Sequence, residues 1–384
     1  MTDARGERTV LCMKWGTKYG PEYVNRLYAM VRRHLKGDFR FVCLTERSEG
    51  IVPDVQCLPI PPLDLPPGIP ERGWTKLTTF AADLHGLQGT ALFLDLDVVI
   101  VGDITPLFEA HKDFVLGSRV LHGDETTVAL LDPGAGKTKT AYMWAYARGV
   151  FDPEPGVVYD FCTGRGSQFP YKFLGQWTGT LVRDGYVGYE KALLLEDRFD
   201  AGCMAHSRRK FDELFKANAS PVAAQAIQRI AWLYRIEADA RDLTAEQRLK
   251  MRQERSRPLC EELHIWLQLE RRRVPDGSGI ANAIDYSLNR WAALTRFLLD
   301  GDVPIDNNHL ENQMRPWAQG RKNWLFVGSE LAGERAAMIM SLLQSAKLNK
   351  ADPWAYLKDV LTRLPTQLNS RIDELLPHRW KPAT

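Results

Sequence analysis

The chain has 384 residues, 45% of them hydrophobic and 26% charged, with a formal net charge of +2, which leaves room for two or three folded domains and excludes a disordered polymer. The near-neutral balance excludes a global polycation, so any nucleic-acid surface must be a local patch. No apolar run reaches the roughly 18 residues of a membrane span and the opening MTDARGERTV lacks the apolar stretch of a signal peptide, so the expected location is the cytoplasm with no membrane partner.

RTVLCMKWG reads as a strand, and PEYVNRLYAMVRRHL sets Val24, Leu27, Tyr28, Val31 and Leu35 at helical spacing before FRFVCLTE returns to period two. This is a βαβ opening. A proline-rich loop comes next, then an expected helix near Trp74 to Leu87 and an expected strand TALFLDLDVVIVG. Asp95 and Asp97 stand two apart in that strand, which puts both carboxylates on one face, suited to a divalent ion beside a diphosphate. With MKWGTKYGPEYVNRLY, RGWTKL and FLDLDVVI, about residues 8 to 118 resemble the nucleotide-sugar half of a GT-A type glycosyltransferase. The resemblance implies a partial, Rossmann-like α/β domain with a nucleotide-sugar and metal site at Asp95 and Asp97. The acceptor half of such an enzyme has no counterpart in the rest of the chain.

From Leu121 the pattern changes. TTVALL and AYMWAYA flank a glycine-rich turn and GVVYDFC lies after another, which predicts an antiparallel meander. The turn DPGAGKTKT is not a phosphate loop: Leu131 stands where that motif needs glycine, and a strand pattern succeeds the lysine where it needs a helix. A helix is expected around Tyr171 to Gly175, then a strand TGTLVRDGY ending at Asp184, the apolar run AGCMAH, a helix SRRKFDELF, and a long helical stretch from about Pro221 to Leu299. An acidic helix comes after it in IDNNHLENQMRPWAQGRKNW. GERAAMIMSLLQSAKL and DPWAYLKDVLTRL read as amphipathic helices, the second capped by Asp352 with Pro353 at its first position. The order of elements is that of a ribonuclease H-like core interrupted by an all-helical insertion. The expected bounds are 1–118 for the first domain, 121–206 with 300–345 for the core, 207–299 for the insertion and 346–384 for a C-terminal helical segment.

Three acids from separate elements, Asp124, Asp184 and Glu311, suit phosphoryl transfer by two Mg2+ ions, which requires converging carboxylates. Each also has a plainer reading. Asp124 starts a strand after Gly123, and Asp184 before Gly185 is a turn signature. Glu311 completes a capping box with Asn308 and stands four residues before Arg315, the spacing of a helical ion pair. Asp306 reads as a turn initiator or an outer contact to metal, and Asn307 and Asn308 as cap residues whose amides also suit a carboxylate or a phosphate. Cys203 and His206 form a Cys-x-x-His pair that lacks two further metal ligands, so a buried cysteine and a hydrogen-bonded histidine is preferred. The six cysteines include no Cys-x-x-Cys pair and are expected to be reduced. Arg208, Arg209 and Lys210 form one basic turn and Arg315, Arg321 and Lys322 another, both expected to contact phosphates. The stripe Leu259, Leu263, Trp266 and Leu267 is expected to be helix packing.

The segments DETTVALLDPGAGKTKT, VVYDF, RDGYVGY, CMAHSRRKF, IDNNHLENQMRPWAQGRKNWLFVGSELAGERAA and AKLNKADPWAYLKDVL resemble, in that order, the DDE transposase of the insertion sequence 66 family, from about Leu121 to Trp380. The resemblance implies Asp124, Asp184 and Glu311 as a catalytic and metal-holding triad and Mg2+ or Mn2+ as cofactor. It implies strand cleavage and transfer at element ends and target DNA, and as partners a second copy of the chain and accessory element-encoded proteins. Family members also carry, before the first aspartate, a cysteine-bearing metal-binding segment, DNA-binding helices and a coiled coil, none of them visible here. The expectation is a fused frame in which end recognition falls to the insertion helices or to a partner. The alternatives are a non-catalytic DNA-binding remnant and a nucleotide-sugar transferase.

Overall fold

The structure, a computed structural model, describes residues 8–63, 74–81, 83–97, 103–132, 134–320 and 326–382, in two units that divide between Asp103 and Ile104. In the first unit, β1 (Arg8–Lys14), α1 (Pro21–His34), β2 (Arg40–Thr45), β3 (Gln56–Leu58) and β4 (Thr90–Phe93) build a parallel sheet in the order β3-β2-β1-β4. Parallel strands covered on both faces read as unbroken apolar runs, and Val10 to Met13 and Phe41 to Leu44 are all buried. On α1, Pro21 fills a first-turn position that needs no N–H, Val24, Leu27 and Val31 are buried, and Arg32, Arg33 and His34 occupy the last turn, where cations suit the helix dipole. All six cysteines are free thiols.

Two expectations for this unit change. The helix expected over Trp74 to Leu87 is a 3-10 stretch, Trp74–Phe80, in which the Thr78 and Thr79 hydroxyls donate to the carbonyls of Thr75 and Lys76 at 2.8 and 2.7 Å, local bonds that compete with an α-helix. The strand expected through Gly102 ends at Phe93, where its ladder with β1 stops at Leu11. Asp95 and Asp97 therefore lie beyond it, and residues 98–102 fall outside the described residues.

The second unit begins earlier than residue 118, with α2 (Thr105–Leu116). Its His111 bonds to the Val157 carbonyl at 3.0 Å, and its Leu107 packs with Leu342 and Tyr356. Next come β5 (Val120–Asp132), β6 (Lys137–Arg148), β7 (Val157–Cys162), α3 (Gln168–Leu174), β8 (Gly179–Arg183), α4 (Glu190–Leu193) and β9 (Arg198–Gly202). The sheet order is β7-β6-β5-β8-β9, with β5, β6 and β7 antiparallel and β8 and β9 parallel to β5. β5 and β6 close a hairpin that pairs Asp132 with Lys137, and Gly134 and Gly136 supply its positive φ angles of 84° and 63°. A strand succeeds the lysine, as expected, and not a helix. Gly179 opens β8 at φ 138°, where a Cβ would stand 2.1 Å from the Arg119 carbonyl oxygen, so only glycine lets β8 start beside β5.

The remaining helices are α5 (Met204–Asn218), α6 (Pro221–Asp239), α7 (Ala245–Met251), α8 (Arg257–Arg271), α9 (Gly279–Asn289), α10 (Trp291–Leu294), α11 (Asn308–Gly320), α12 (Glu330–Leu348) and α13 (Pro353–Arg363). The expected helical stretch is thus α6 to α10. Its core holds Ile230, Leu233, Leu263, Leu267 and Ile284, with Leu259 and Trp266 partly buried against it, so the apolar stripe is packing. Fully buried Arg252, in a π-helical turn, donates to the carbonyls of Phe297, Asp300 and Val303 and pairs with Glu237 at 2.6 Å, which ties the segment before α11 to the helices. On α12 the Ser341 and Ser345 hydroxyls each accept a backbone N–H of edge strand β7, from Tyr159 and Val157, at 2.9 Å. Side chains there satisfy donors that an exposed edge would leave open. Asp352 caps α13 as expected, accepting from Ala355 at 2.7 Å. Among the described residues no helix is long and apolar enough to cross a membrane.

Candidate active site

Side chains alternate along β5. Val128 and Leu130 pack on one face with Leu310, Met314 and Trp317 of α11, and His122 and Asp124 share their parity; Leu121 and Glu125 belong to the other face. Asp124 lies inside β5 rather than at its start, because Val120, Leu121 and His122 lengthen the strand by pairing with β8. Asp184, expected as the last residue of its strand, is the residue just after β8, and it makes the turn read from Asp-Gly: Oδ1 accepts the N–H of Tyr186 at 2.9 Å and Gly185 takes φ 108°. The Tyr286 hydroxyl of α9 donates to the Asp184 carbonyl at 2.5 Å. Glu311 stands in the first turn of α11.

α11 is held against β5 by Asn307, which is fully buried. Its Nδ2 donates to the Gly123 carbonyl at 3.0 Å, its N–H points to Cys203 Sγ at 3.2 Å, and its Oδ1 lies 2.8 Å from His122 Nδ1. Since the amide nitrogen is spent on Gly123, Oδ1 accepts and His122 carries its proton on Nδ1. Burial, with His309 beside it, lowers the His122 pKa to about 3, so the ring is neutral. Asn307 is therefore a clamp rather than a cap, a role with no signature in the sequence. Asp306 takes its plainer reading: Oδ1 accepts from Asn308 N at 3.0 Å, and Oδ2 from Asn308 Nδ2 and the Tyr234 hydroxyl, each at 2.8 Å.

Burial, then the negative charges of Glu125 and Asp184, push the Asp124 carboxyl up to about 8, and Glu311 adds to the effect; the N–H of Glu125, 2.8 Å from Oδ1, opposes it. Asp124 thus lies within electrostatic reach of Asp184 and of Glu311, but among the described residues the three carboxylates do not close to within 4.8 Å of one another; the donors that do are Cys203, His206 and Glu311. Glu125 is held separately by Arg165, whose Nε donates at 2.9 Å while its guanidinium stacks 3.7 Å over the Tyr186 ring.

Glu311 forms no capping box, because the Asn308 amide turns to Asp306. Nor does it pair with Arg315, which is exposed and without an ion pair among the described residues. Its Oε2 lies 3.3 Å from Arg209 and its Oε1 3.6 Å from His206 Nδ1. Burial lowers the His206 pKa and Arg209 adds to that, against the pull of Glu311 and Asp184. Arg209, expected on DNA, is thus engaged by a site acid. Arg208 is exposed, and Lys210 lies 4.6 Å over the Tyr286 ring. Arg321 and Lys322 fall outside the described residues.

In the first unit, Asp95 pairs with Lys76, and Asp97 accepts from the Tyr19 hydroxyl at 3.2 Å. Each carboxylate has its own partner and the pair sits past the strand, so the shared face expected for a common ion is absent.

Residues 98–335 match the family described as Transposase IS66 family, and residues 341–378 match the IS66 C-terminal element. The chain is also similar to uncharacterized proteins of Sinorhizobium fredii (strain NBRC 101917 / NGR234). It is 36% identical to y4hP over 307 residues, covering 73% of this chain and 54% of the relative. It is 39% identical to y4qI over 279 residues, covering 69% and 51%. The chain spans about half the length of these relatives. The family match begins at residue 98, so the glycosyltransferase resemblance of the earlier residues gains nothing from it.

Proposed function

The chain belongs to the IS66 transposase family, and on that basis we propose that it cleaves and transfers DNA strands at the ends of an insertion element, with Asp124, Asp184 and Glu311 as its catalytic acids. The observation that carries this reading is the placement of the acids, Asp124 within β5, Asp184 just after the adjacent β8 and Glu311 in the first turn of α11, which packs on β5; burial and negative charge that includes the other two acids push the Asp124 carboxyl up to about 8. Such crowding is destabilising unless a cation relieves it. The strand order supports a ribonuclease H-like core: three antiparallel strands, then two parallel ones, with one acid on the first strand and another just after the adjacent fourth.

The donor set fits Mg2+ or Mn2+, which favour carboxylate oxygens, and Glu311 Oε1 is buried without a hydrogen-bond partner. Asp124, Asp184 and Glu311 would hold the ions, which when bound activate the attacking oxygen and stabilise the leaving one. Asn307 fixes the approach of α11 to β5, and Arg209 orients Glu311. Arg208, Lys210 and Arg315 supply phosphate contacts that set the DNA backbone without reading its sequence, and Arg321 and Lys322 belong to the same expectation. A second copy of the chain and element-encoded proteins complete the proposed assembly.

The test is cleavage, in Mg2+, of a duplex spanning the boundary of the genomic segment that carries the gene. Expected are nicks at the boundary that vanish in Asp124→Asn while the fold persists. Binding of that duplex without any metal-dependent nick would leave the non-catalytic remnant.

A further inference from the structure

Cys203 and His206 alone offer too few donors for a metal. Folding adds a third. Cys203 precedes the first turn of α5 and His206 lies within that turn, beside the first turn of α11, and Cys203 Sγ, an imidazole nitrogen of His206 and a carboxylate oxygen of Glu311 all lie within 4.8 Å of one another. Two of these donors are orphans: His206 Nδ1 and Glu311 Oε1 are buried with no hydrogen-bond partner, although buried polar atoms nearly always have one. The sulfur is fully buried and receives the Asn307 N–H at 3.2 Å, the kind of outer bond that orients a metal ligand.

We propose that Cys203, His206 and Glu311 form a site for a zinc-class divalent ion, with three protein ligands and an open fourth position. Thiolate and imidazole select such an ion over Mg2+. Tetrahedral zinc with nitrogen and oxygen ligands at about 2.1 Å sets those ligands about 3.4 Å apart, and His206 Nδ1 and Glu311 Oε1 are 3.6 Å apart. As the sulfur–metal bond forms, the thiol proton leaves to solvent. Coordination through Nδ1 keeps the ring proton on Nε2, so Arg209 Nη1, 3.4 Å from that nitrogen, must turn outward. Its side chain is half exposed and free to do so. An ion here withdraws Glu311 from strand cleavage and inhibits it. That consequence, unlike the site itself, rests on the proposed function.

The full chain, treated with chelator and titrated with Co2+ as the zinc surrogate, is expected to develop a near-ultraviolet thiolate-to-cobalt absorption. Cys203→Ser and His206→Asn, each with a melting curve like wild type, should both abolish it, Cys12→Ser and Cys260→Ser should leave it, and Glu311→Gln should weaken Co2+ binding at least about tenfold. If either site variant melts early, the Glu311→Gln affinity decides. A missing thiolate band, or one that survives Cys203→Ser, overturns the site. In the Mg2+ cleavage assay Zn2+ should inhibit wild type but not Cys203→Ser. A band without inhibition keeps the site and sinks the reading of Glu311 as a cleavage ligand.

Discussion

Asn307 donates its side-chain amide to the carbonyl of Gly123, 3.0 Å away and one residue before Asp124. With its carbonyl on His122, this one side chain joins β5 to the start of α11, four residues ahead of Glu311. Asn307→Ala leaves the Gly123 oxygen and the His122 Nδ1–H buried without partners, which costs about 2–4 kcal/mol. Urea denaturation measures it. A loss below about 0.5 kcal/mol would mean that water replaces the amide and that the clamp has no consequence.

The Arg165–Glu125 pair joins a half-exposed guanidinium to a carboxylate that is 3% exposed. Burial raises the Glu125 pKa while Arg165 holds it down. Arg165→Gln removes the opposing cation, so the folded-state pKa climbs further above the unfolded one. The penalty is absent at low pH, where Glu125 is protonated in both states, and grows as pH rises. The expected cost is about 1–3 kcal/mol at pH 8 and little at pH 4. Equal losses at both pH values would rule out the electrostatic account.

The hairpin of β5 and β6 and strand β8 are legible because alternation and turn glycines are local signals, and the place of Asp184 is set by where β8 ends. What escapes is set by distant partners. Asn307 looks like a cap, yet its amide is claimed by Gly123 and His122, 184 and 185 residues away. Arg209 looks like a solvated or DNA-facing cation until α5 lies beside α11, 102 residues on. Cys203 and His206 lack a third donor for the same reason. β4 is misread because an apolar run continues past Phe93, whereas the ladder that defines the strand ends with its partner β1.

Asp124 gives a pH signature. Its carboxyl moves from 3.8 to about 8 on folding, so as pH rises the unfolded chain ionises first. The contribution to stability is fully present below about pH 4, declines up to about pH 8, and is gone above. Asp124→Asn removes this dependence. In metal-free buffer the variant should melt above wild type at pH 8, and the gap should close at pH 4. Scanning fluorimetry at the two pH values checks it; a gap independent of pH would place the cause in packing rather than charge.

Glu311 separates an ion-pair partner from a catalytic ligand. Its pair with Arg209 is half exposed on the arginine side, and such pairs contribute about 0–1 kcal/mol. Against that loss, Glu311→Gln removes one of the charges crowding Asp124. The two effects nearly cancel, so the melting temperature should stay within about 4 °C of wild type. Glutamine keeps an oxygen that accepts from Arg209, so a residue that merely holds α5 beside α11 would leave activity alone as well. A metal ligand behaves differently: a neutral amide replaces a charged oxygen, and Mg2+-dependent cleavage should fall by two to three orders of magnitude, on the scale of losing one preorganised electrostatic contact. Arg209→Ala isolates the other partner. It removes the group that orients Glu311 without altering the carboxylate, so kcat should fall, by less than in Glu311→Gln, with the KM for DNA little changed. Full cleavage by Glu311→Gln would leave this residue only its pair with Arg209.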